Sequence, residues 1–177
     1  MKTTAILIAG FGGQGTLFAG KVLAEASLFK GLEVSWLPSY GPEMRGGTAN
    51  CSVMISESPI GSPIVSRPDI LIALNKPSFE KYEKMAQPGG CIFVDSSLVD
   101  SKSTRDDVKV FYIPATELAQ QAGKASLANI VLIGKAIKET GLFTIEEILE
   151  CLDEIIPAKK VELKELNRKA LAAGASF

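Results

Sequence analysis

The segment Gly10-Phe11-Gly12-Gly13-Gln14-Gly15 has the residue types and the spacing of an anion-binding turn. It follows the apolar run Ala5 to Ala9 and precedes a helical pattern that begins at about Thr16. Glycines permit a tight turn between a strand and a helix, and the free N–H groups at the helix start attract a phosphate. The pattern indicates a candidate binding loop made of Gly10, Gly12, Gly13, Gln14 and Gly15.

The same segment lacks the second half of a dinucleotide fingerprint, which is an acidic residue at the end of the second strand. Here that strand is predicted to end at Trp36-Leu37-Pro38, and Glu33 lies at its beginning. No Gly-Lys-Ser/Thr follows the turn, so a Walker-type phosphate loop is not supported. Two interpretations stay open: the glycines bind an anion, or they only let the first strand turn into a closely packed helix.

A second unusual segment comes directly after the second predicted strand and is expected to be neither helix nor strand. Loops at the carboxyl ends of strands form the binding crevice of open α/β sheets, so this segment is expected near the first turn. An arginine on a glycine-framed loop suits a carboxylate, a phosphate or an acidic group of a partner. The candidate residues are Ser39, Tyr40, Gly41, Pro42, Glu43, Arg45, Gly46 and Gly47.

The chain contains no histidine, which excludes Ser-His-Asp and Cys-His catalysis and every histidine-ligated metal site. Cys51, Cys91 and Cys151 are spread along the chain without a CxxC pair, so neither an iron–sulfur nor a zinc site is predicted. No catalytic residue and no metal ligand is assigned. A small oxidoreductase that uses Tyr40 or Lys76 as acid or base has little support, because neither residue has a recognisable partner by spacing.

The order of the elements predicts the fold class. Strands are predicted at 5–9, 33–37, 49–55, 70–74, 91–94 and 108–113, and helices at 16–30, 77–87, 116–122, 126–139, 144–156 and 161–173. This alternation indicates a three-layer α/β domain with a mostly parallel sheet and a helical C-terminal region. The segment 49–55 follows a loop instead of a helix, so at least one antiparallel strand is expected and the sheet is mixed.

The composition limits which partners and which cellular location are expected for this protein. The 177 residues are 46% apolar and 22% charged, with a formal net charge of −1, which argues against a nucleic-acid binder. No run approaches the roughly 20 apolar residues that cross a bilayer. We expect a cytoplasmic protein that interacts with neither nucleic acid nor membrane.

Two motifs resemble those of a known family. Gly-Phe-Gly-Gly-Gln-Gly at 10–15 and Ser-Tyr-Gly-Pro-Glu-Met-Arg-Gly-Gly-Thr-Ala-Asn-Cys-Ser-Val at 39–53 are similar to motifs of the gamma subunit of 2-oxoacid:ferredoxin oxidoreductases. Similar stretches continue at 68–75, 128–134 and 167–174. The resemblance covers nearly the whole chain and implies one Rossmann-like, gamma-type domain over residues 1–177.

The resemblance also implies a function. Members of this family oxidatively decarboxylate a 2-oxoacid with coenzyme A and pass the electrons to ferredoxin, using thiamine diphosphate, magnesium and iron–sulfur clusters. These cofactors belong mainly to the alpha, beta and ferredoxin-like delta subunits. The chain alone is then expected to bind none of them, to have no complete active site and to contact the other subunits through its two glycine-rich loops. When isolated it could form a homodimer.

One alternative function stays open. The chain could be a stand-alone nucleotide- or coenzyme-binding Rossmann-like protein that uses the turn at 10–15. A micromolar affinity of the purified chain for such a ligand would favour it.

Overall fold

The computed structural model describes residues 3–40 and 48–177. Six strands form one sheet: Thr4–Phe11 (β1), Glu33–Tyr40 (β2), Thr48–Ser56 (β3), Ile70–Ala73 (β4), Cys91–Asp95 (β5) and Lys109–Ile113 (β6). Six helices accompany them: Thr16–Phe29 (α1), Lys76–Tyr82 (α2), Ala115–Gln121 (α3), Ala128–Thr140 (α4), Ile145–Ile155 (α5) and Val161–Ser176 (α6). Short 3-10 turns lie at Glu83–Met85 and Ala125–Leu127.

The strand order across the sheet is β2-β3-β1-β4-β5-β6. Strands β1, β4, β5 and β6 run parallel, whereas β3 is antiparallel to both of its neighbours. The predicted mixed sheet and its antiparallel strand are therefore confirmed. Because β2 is antiparallel to β3, it runs in the same direction as β1, and both strands end at one edge of the sheet, which we call the carboxyl edge.

Both faces of the sheet are covered, which gives the predicted three layers. Apolar side chains that alternate along β1 divide between two cores, as the period of two in a strand requires. Ile6 and Ile8 pack with α1, α3, α4, α5 and α6 in the larger core. Leu7 and Ala9 pack with Phe79 of α2 and with flanking loop residues in the smaller one. No helix among the described residues is long and apolar enough to span a membrane.

The helical C-terminal region is confirmed, and local signals in its sequence explain where its helices begin. Thr144 begins α5 with a capping box, in which its hydroxyl accepts from the Glu147 N–H at 3.2 Å and the Glu147 carboxylate accepts from the Thr144 N–H at 2.9 Å. Gly141 ends α4 in the left-handed conformation, with φ 66°. These signals occupy the positions that the physics of helix ends favours.

The prediction that β2 stops at Pro38 is wrong. The strand continues through Pro38 and Ser39 to Tyr40, which is in register with Ala49 of β3. β2 is the outermost strand of the sheet, and a proline is tolerated there because one side of an edge strand needs no hydrogen-bond partner. Ser39 and Tyr40 therefore belong to a strand instead of an irregular loop.

Candidate functional site

The turn between β1 and α1 lies at the carboxyl edge, as predicted. Gly13 and Gly15 have φ angles of 97° and 76°, a left-handed conformation that side chains other than glycine adopt at a cost. Gly12 and Gly13 are exposed at the tip, and Gly10 is buried where β1 ends. No side chain caps the start of α1. The glycines thus have a conformational reason for being there, independent of any ligand.

The Gln14 side chain holds this turn in place. Its Oε1 atom accepts hydrogen bonds from the Phe11 backbone N–H at 2.6 Å and from Asn75 Nδ2 at 2.9 Å. Its Nε2 atom donates to the Leu74 carbonyl at 3.0 Å. The buried Asn75 also caps α2, because its Oδ1 accepts from the Ser78 N–H at 2.9 Å. Gln14 therefore connects the β1–α1 turn to the β4–α2 turn.

A second buried amide anchors the end of the turn. Asn129, in the first turn of α4 and only 2% exposed, donates from Nδ2 to the Gly15 carbonyl at 3.0 Å. A Cβ atom added to Gly15 would lie 2.5 Å from that nitrogen. Asn129 is thus a buried anchor for the backbone of the turn.

The described residues on either side of 41–47 lie at the same edge. Tyr40 ends β2, Thr48 begins β3, and Thr48 is in register with Phe11 of β1. Neighbouring strands are about 5 Å apart, so the end of β2 lies roughly 10 Å from the first turn. Ser39 is exposed.

The remaining candidates of that segment lie outside the described residues. They are Gly41, Pro42, Glu43, Arg45, Gly46 and Gly47.

A pocket of about 240 Å³ opens beside the turn at the carboxyl edge. Its lining is formed by Gly13, Gln14, Leu74, Thr116, Ala125, Ser126 and Ala128. Behind it, the fully buried Asp95 carboxylate accepts hydrogen bonds from the Thr116 hydroxyl at 2.5 Å and from the Ser97 N–H at 3.1 Å. This carboxylate is committed to the start of α3. Asp95 and Thr116 are not among the residues predicted from the sequence, although a carboxylate at a strand end is a recognisable signal.

The topology argues against dinucleotide binding in the familiar manner. In the dinucleotide fold, an acidic residue at the end of the second strand stands beside the first strand. Here β3 separates β2 from β1, and β2 ends in Ser39 and Tyr40, neither of which is acidic. Any ribose contact would have to come from elsewhere at this edge.

The described cysteine side chains are not arranged to hold an iron–sulfur cluster, because Cys51, Cys91 and Cys151 do not form a group. Burial raises the pKa of Cys51 and of Cys151 to about 12. The Cys151 thiol contacts the Val22 carbonyl at 3.3 Å, and Cys51 lies beneath Gly20 of α1. Within residues 3–40 and 48–177, no three Cys, Asp or Glu side chains are grouped closely enough to hold a metal ion.

Lys76 does not have the properties of a general base. Its Nζ lies 2.7 Å from Asp100 Oδ1, and that hydrogen bond and charge raise the lysine pKa above its usual value. A base that works near neutral pH needs a lowered lysine pKa instead. The described part of the carboxyl edge thus contains a shaped turn, a small pocket and the end of an edge strand.

Comparison with known proteins identifies the family. Residues 5–177 match the model of the pyruvate ferredoxin/flavodoxin oxidoreductase family, so the chain belongs to that family. It is 37% identical over 164 residues to the 2-oxoglutarate synthase subunit KorC of Methanocaldococcus jannaschii, covering 91% of this chain and 87% of that protein. The recognition made from the two motifs is confirmed.

Two further relatives extend the comparison. The ketoisovalerate oxidoreductase subunit VorA of Methanothermobacter marburgensis is 38% identical over 178 residues, which cover 99% of this chain but only 37% of VorA. The chain thus spans little more than a third of that relative. The crystal structure of a keto/oxoacid ferredoxin oxidoreductase gamma subunit from Geobacter sulfurreducens matches with a TM-score of 0.82 and 32% identity, covering 98% and 96% of the two chains. The fold is therefore that of a gamma subunit.

Proposed function

We propose that this chain is the gamma subunit of a multi-subunit 2-oxoacid:ferredoxin oxidoreductase, an enzyme that oxidatively decarboxylates a 2-oxoacid in the presence of coenzyme A. The enzyme acts on the oxo group of its donor and uses ferredoxin as acceptor. Family membership supports the reaction class, and the similarity to KorC and to a gamma subunit of known structure supports the role of a gamma subunit. On this proposal the isolated chain is inactive.

One structural observation carries the proposed role. The β1–α1 turn lies at the same edge of the sheet as Tyr40 and Thr48, the described residues on either side of 41–47. We name residues 10–15 and 39–47 the docking edge. Its proposed partners are the alpha, beta and ferredoxin-like delta subunits, with Glu43 and Arg45 making charged contacts, and ferredoxin receives the electrons.

The cofactors of the proposed complex belong to its other subunits. Thiamine diphosphate with magnesium, iron–sulfur clusters and coenzyme A are all required by the reaction. Within the described residues no three Cys, Asp or Glu side chains are grouped as metal ligands, and we assign the clusters and the metal to the other subunits. The cytoplasmic location expected from the sequence and the homodimer of the isolated chain stay predictions.

Reconstitution tests the proposal. The chain is produced with and without the other subunits of its complex, and reduction of ferredoxin is followed with a 2-oxoacid, coenzyme A and thiamine diphosphate. We expect turnover by the complete complex and none by the chain alone. Turnover by the isolated chain would contradict the proposed role. Equal turnover by the other subunits in the absence of this chain would also contradict it.

Calorimetric titration distinguishes the alternative, a stand-alone coenzyme-binding protein. NAD, flavin, AMP and coenzyme A are titrated separately into the purified chain. The proposal predicts no micromolar binding of any of them. A micromolar affinity for one of them, without any association with other subunits, would favour the alternative.

A further inference from the structure

Two side-chain amides, Gln14 and Asn75, connect the β1–α1 turn to the β4–α2 turn. Asn75 donates to Gln14 Oε1, and Gln14 donates to the Leu74 carbonyl. The same Gln14 oxygen also accepts from the Phe11 N–H, inside the turn itself. All of these distances lie between 2.6 and 3.0 Å, so each contact is a well-formed hydrogen bond.

These bonds link two parts of the chain that are far apart in sequence. Gln14 is 60 residues from Leu74 and 61 from Asn75. The turn holding Gln14 leads into the larger core, whereas α2, which Asn75 caps, packs into the smaller core on the other face of the sheet. The amide pair thus links the helical layers on the two faces of the sheet, at its carboxyl edge.

The burial of the pair explains why it can fix a conformation. Asn75 is 3% exposed and Gln14 is half-buried, whereas Gly12 and Gly13 at the tip of the turn are exposed. A buried polar group that loses its hydrogen-bond partner is destabilising, because it has already lost its contacts with water. Breaking the bonds of Gln14 and Asn75 is therefore unfavourable, and the turn resists local opening. Glycines alone would leave the turn many accessible conformations, because they restrict φ and ψ least.

Resting on the proposed function, we propose that Gln14 and Asn75 are positioning residues that hold the β1–α1 turn in the shape needed for subunit docking. Fixing a loop in its bound shape raises affinity, because less conformational entropy is lost on association. The pair acts through the exposed backbone at 12–13. Neither amide needs to touch the partner subunit.

Two substitutions separate positioning from folding. Gln14→Ala removes all three hydrogen bonds of the side chain. Asn75→Asp keeps the size and the α2 cap, because an Asp oxygen still accepts from the Ser78 N–H, but it loses the N–H donor to Gln14. Asn167→Ala is the matched control: Asn167 is also buried, and its Nδ2 donates to the Leu163 carbonyl within α6.

The test is a competition for assembly. A tagged variant and the untagged wild-type chain are co-expressed with the remaining subunits, and intact mass measures their ratio in the assembled complex. We expect Gln14→Ala and Asn75→Asp each to lower incorporation about tenfold, and the double variant to fall no further than the lower single variant. Asn167→Ala lowers the unfolding temperature but changes incorporation less than twofold.

Hydrogen exchange of the purified chains supplies a second readout. The Phe11 amide is expected to exchange faster in both edge variants, whereas it stays protected in Asn167→Ala. If the wild-type chain enters the complex and the Gln14→Ala and Asn75→Asp variants are incorporated equally well, the positioning role alone is overturned. A wild-type chain that enters no complex would instead overturn the proposed function, and the positioning role with it.

Discussion

Glycine permits close approach in two regions of this protein, for two different reasons. Where α4 crosses α6, a Cβ atom on Gly134 or Gly174 would overlap the carbonyl oxygen of Leu171 or Val131, on the facing helix. At the β1–α1 turn, a Cβ atom on Gly15 would meet the Asn129 amide instead, and the φ angle of 76° is itself unfavourable for other residues.

The glycines of these two regions have different roles. At the helix crossing, backbone packs on backbone inside the core, and close packing explains the residue completely. At the turn, the neighbours are side-chain amides that are hydrogen-bonded to the loop, and the tip at 12–13 remains exposed. The first region stabilises the domain, whereas the second gives an exposed backbone a fixed shape.

The largest effect is expected at the helix crossing. Gly174→Ala forces α4 and α6 apart, because rigid backbone leaves no room for a methyl group, and we expect the free energy of unfolding to fall by about 3 kcal/mol. Chemical denaturation measures the change. Gly61→Ala is the control, since its added Cβ meets nothing within 4 Å, and it should leave stability nearly unchanged. Equal losses in both variants would contradict the packing account.

A smaller loss is expected at the turn. Gly15→Ala combines an unfavourable φ with the contact to Asn129, and we expect about 2 kcal/mol of destabilisation. Gly31→Ala has a similar φ of 69° but open space around its Cβ, so it should lose only about 1 kcal/mol. The difference between the two denaturation curves isolates the Asn129 contact. No difference would show that the contact contributes nothing.

Replacing Asn129, which anchors the turn, is expected to lower the free energy of unfolding by less than Gly15→Ala does. Asn129→Ala loses the hydrogen bond to the Gly15 carbonyl, but it also removes Oδ1, which is buried without a hydrogen-bond partner. We expect the free energy of unfolding to fall by about 1 kcal/mol, with faster exchange of the amides in the turn. Unchanged exchange there would contradict the anchoring role.

The smallest effect belongs to the exposed ion pair of Lys76 and Asp100 at the same edge. Their contact raises the lysine pKa and lowers the aspartate pKa, so any stabilisation would persist between these two pKa values and be lost as the pH rises or falls beyond them. Because both groups are exposed to solvent, Lys76→Ala should unfold at the wild-type temperature from pH 5 to 9. A clear loss across that range would show that this pair also stabilises the edge.

Much of the fold could be predicted from local sequence signals. The apolar runs, the helical periodicity and the absence of a helix before 49–55 indicated the mixed sheet, because these features follow from the periods of strands and helices. A glycine and an asparagine within the apolar pattern of 128–137 also indicate local contacts. The packing at Gly134 and the anchoring by Asn129 are those contacts.

Other features depend on contacts distant in sequence and could not be predicted in this way. The insertion of β3 between β1 and β2 is set by pairing across the sheet, and the continuation of β2 through Pro38 follows from its edge position. The bond between Gln14 and Asn75 joins residues 61 positions apart, and no pattern near either residue points to the other. Thus the candidate loops were predictable, but the bonds that shape the first of them were not.

Affinity purification of the tagged chain from its native source tests whether this protein works as a subunit. We expect the wild-type chain to co-purify with larger subunits as an assembly that contains thiamine diphosphate and iron–sulfur clusters and reduces ferredoxin with a 2-oxoacid and coenzyme A. An Arg45→Glu chain, used once its unfolding temperature is matched to that of the wild type, should recover much less of that assembly. A wild-type chain that elutes alone, or an Arg45→Glu chain that recovers the same active assembly in full, would contradict docking through this edge.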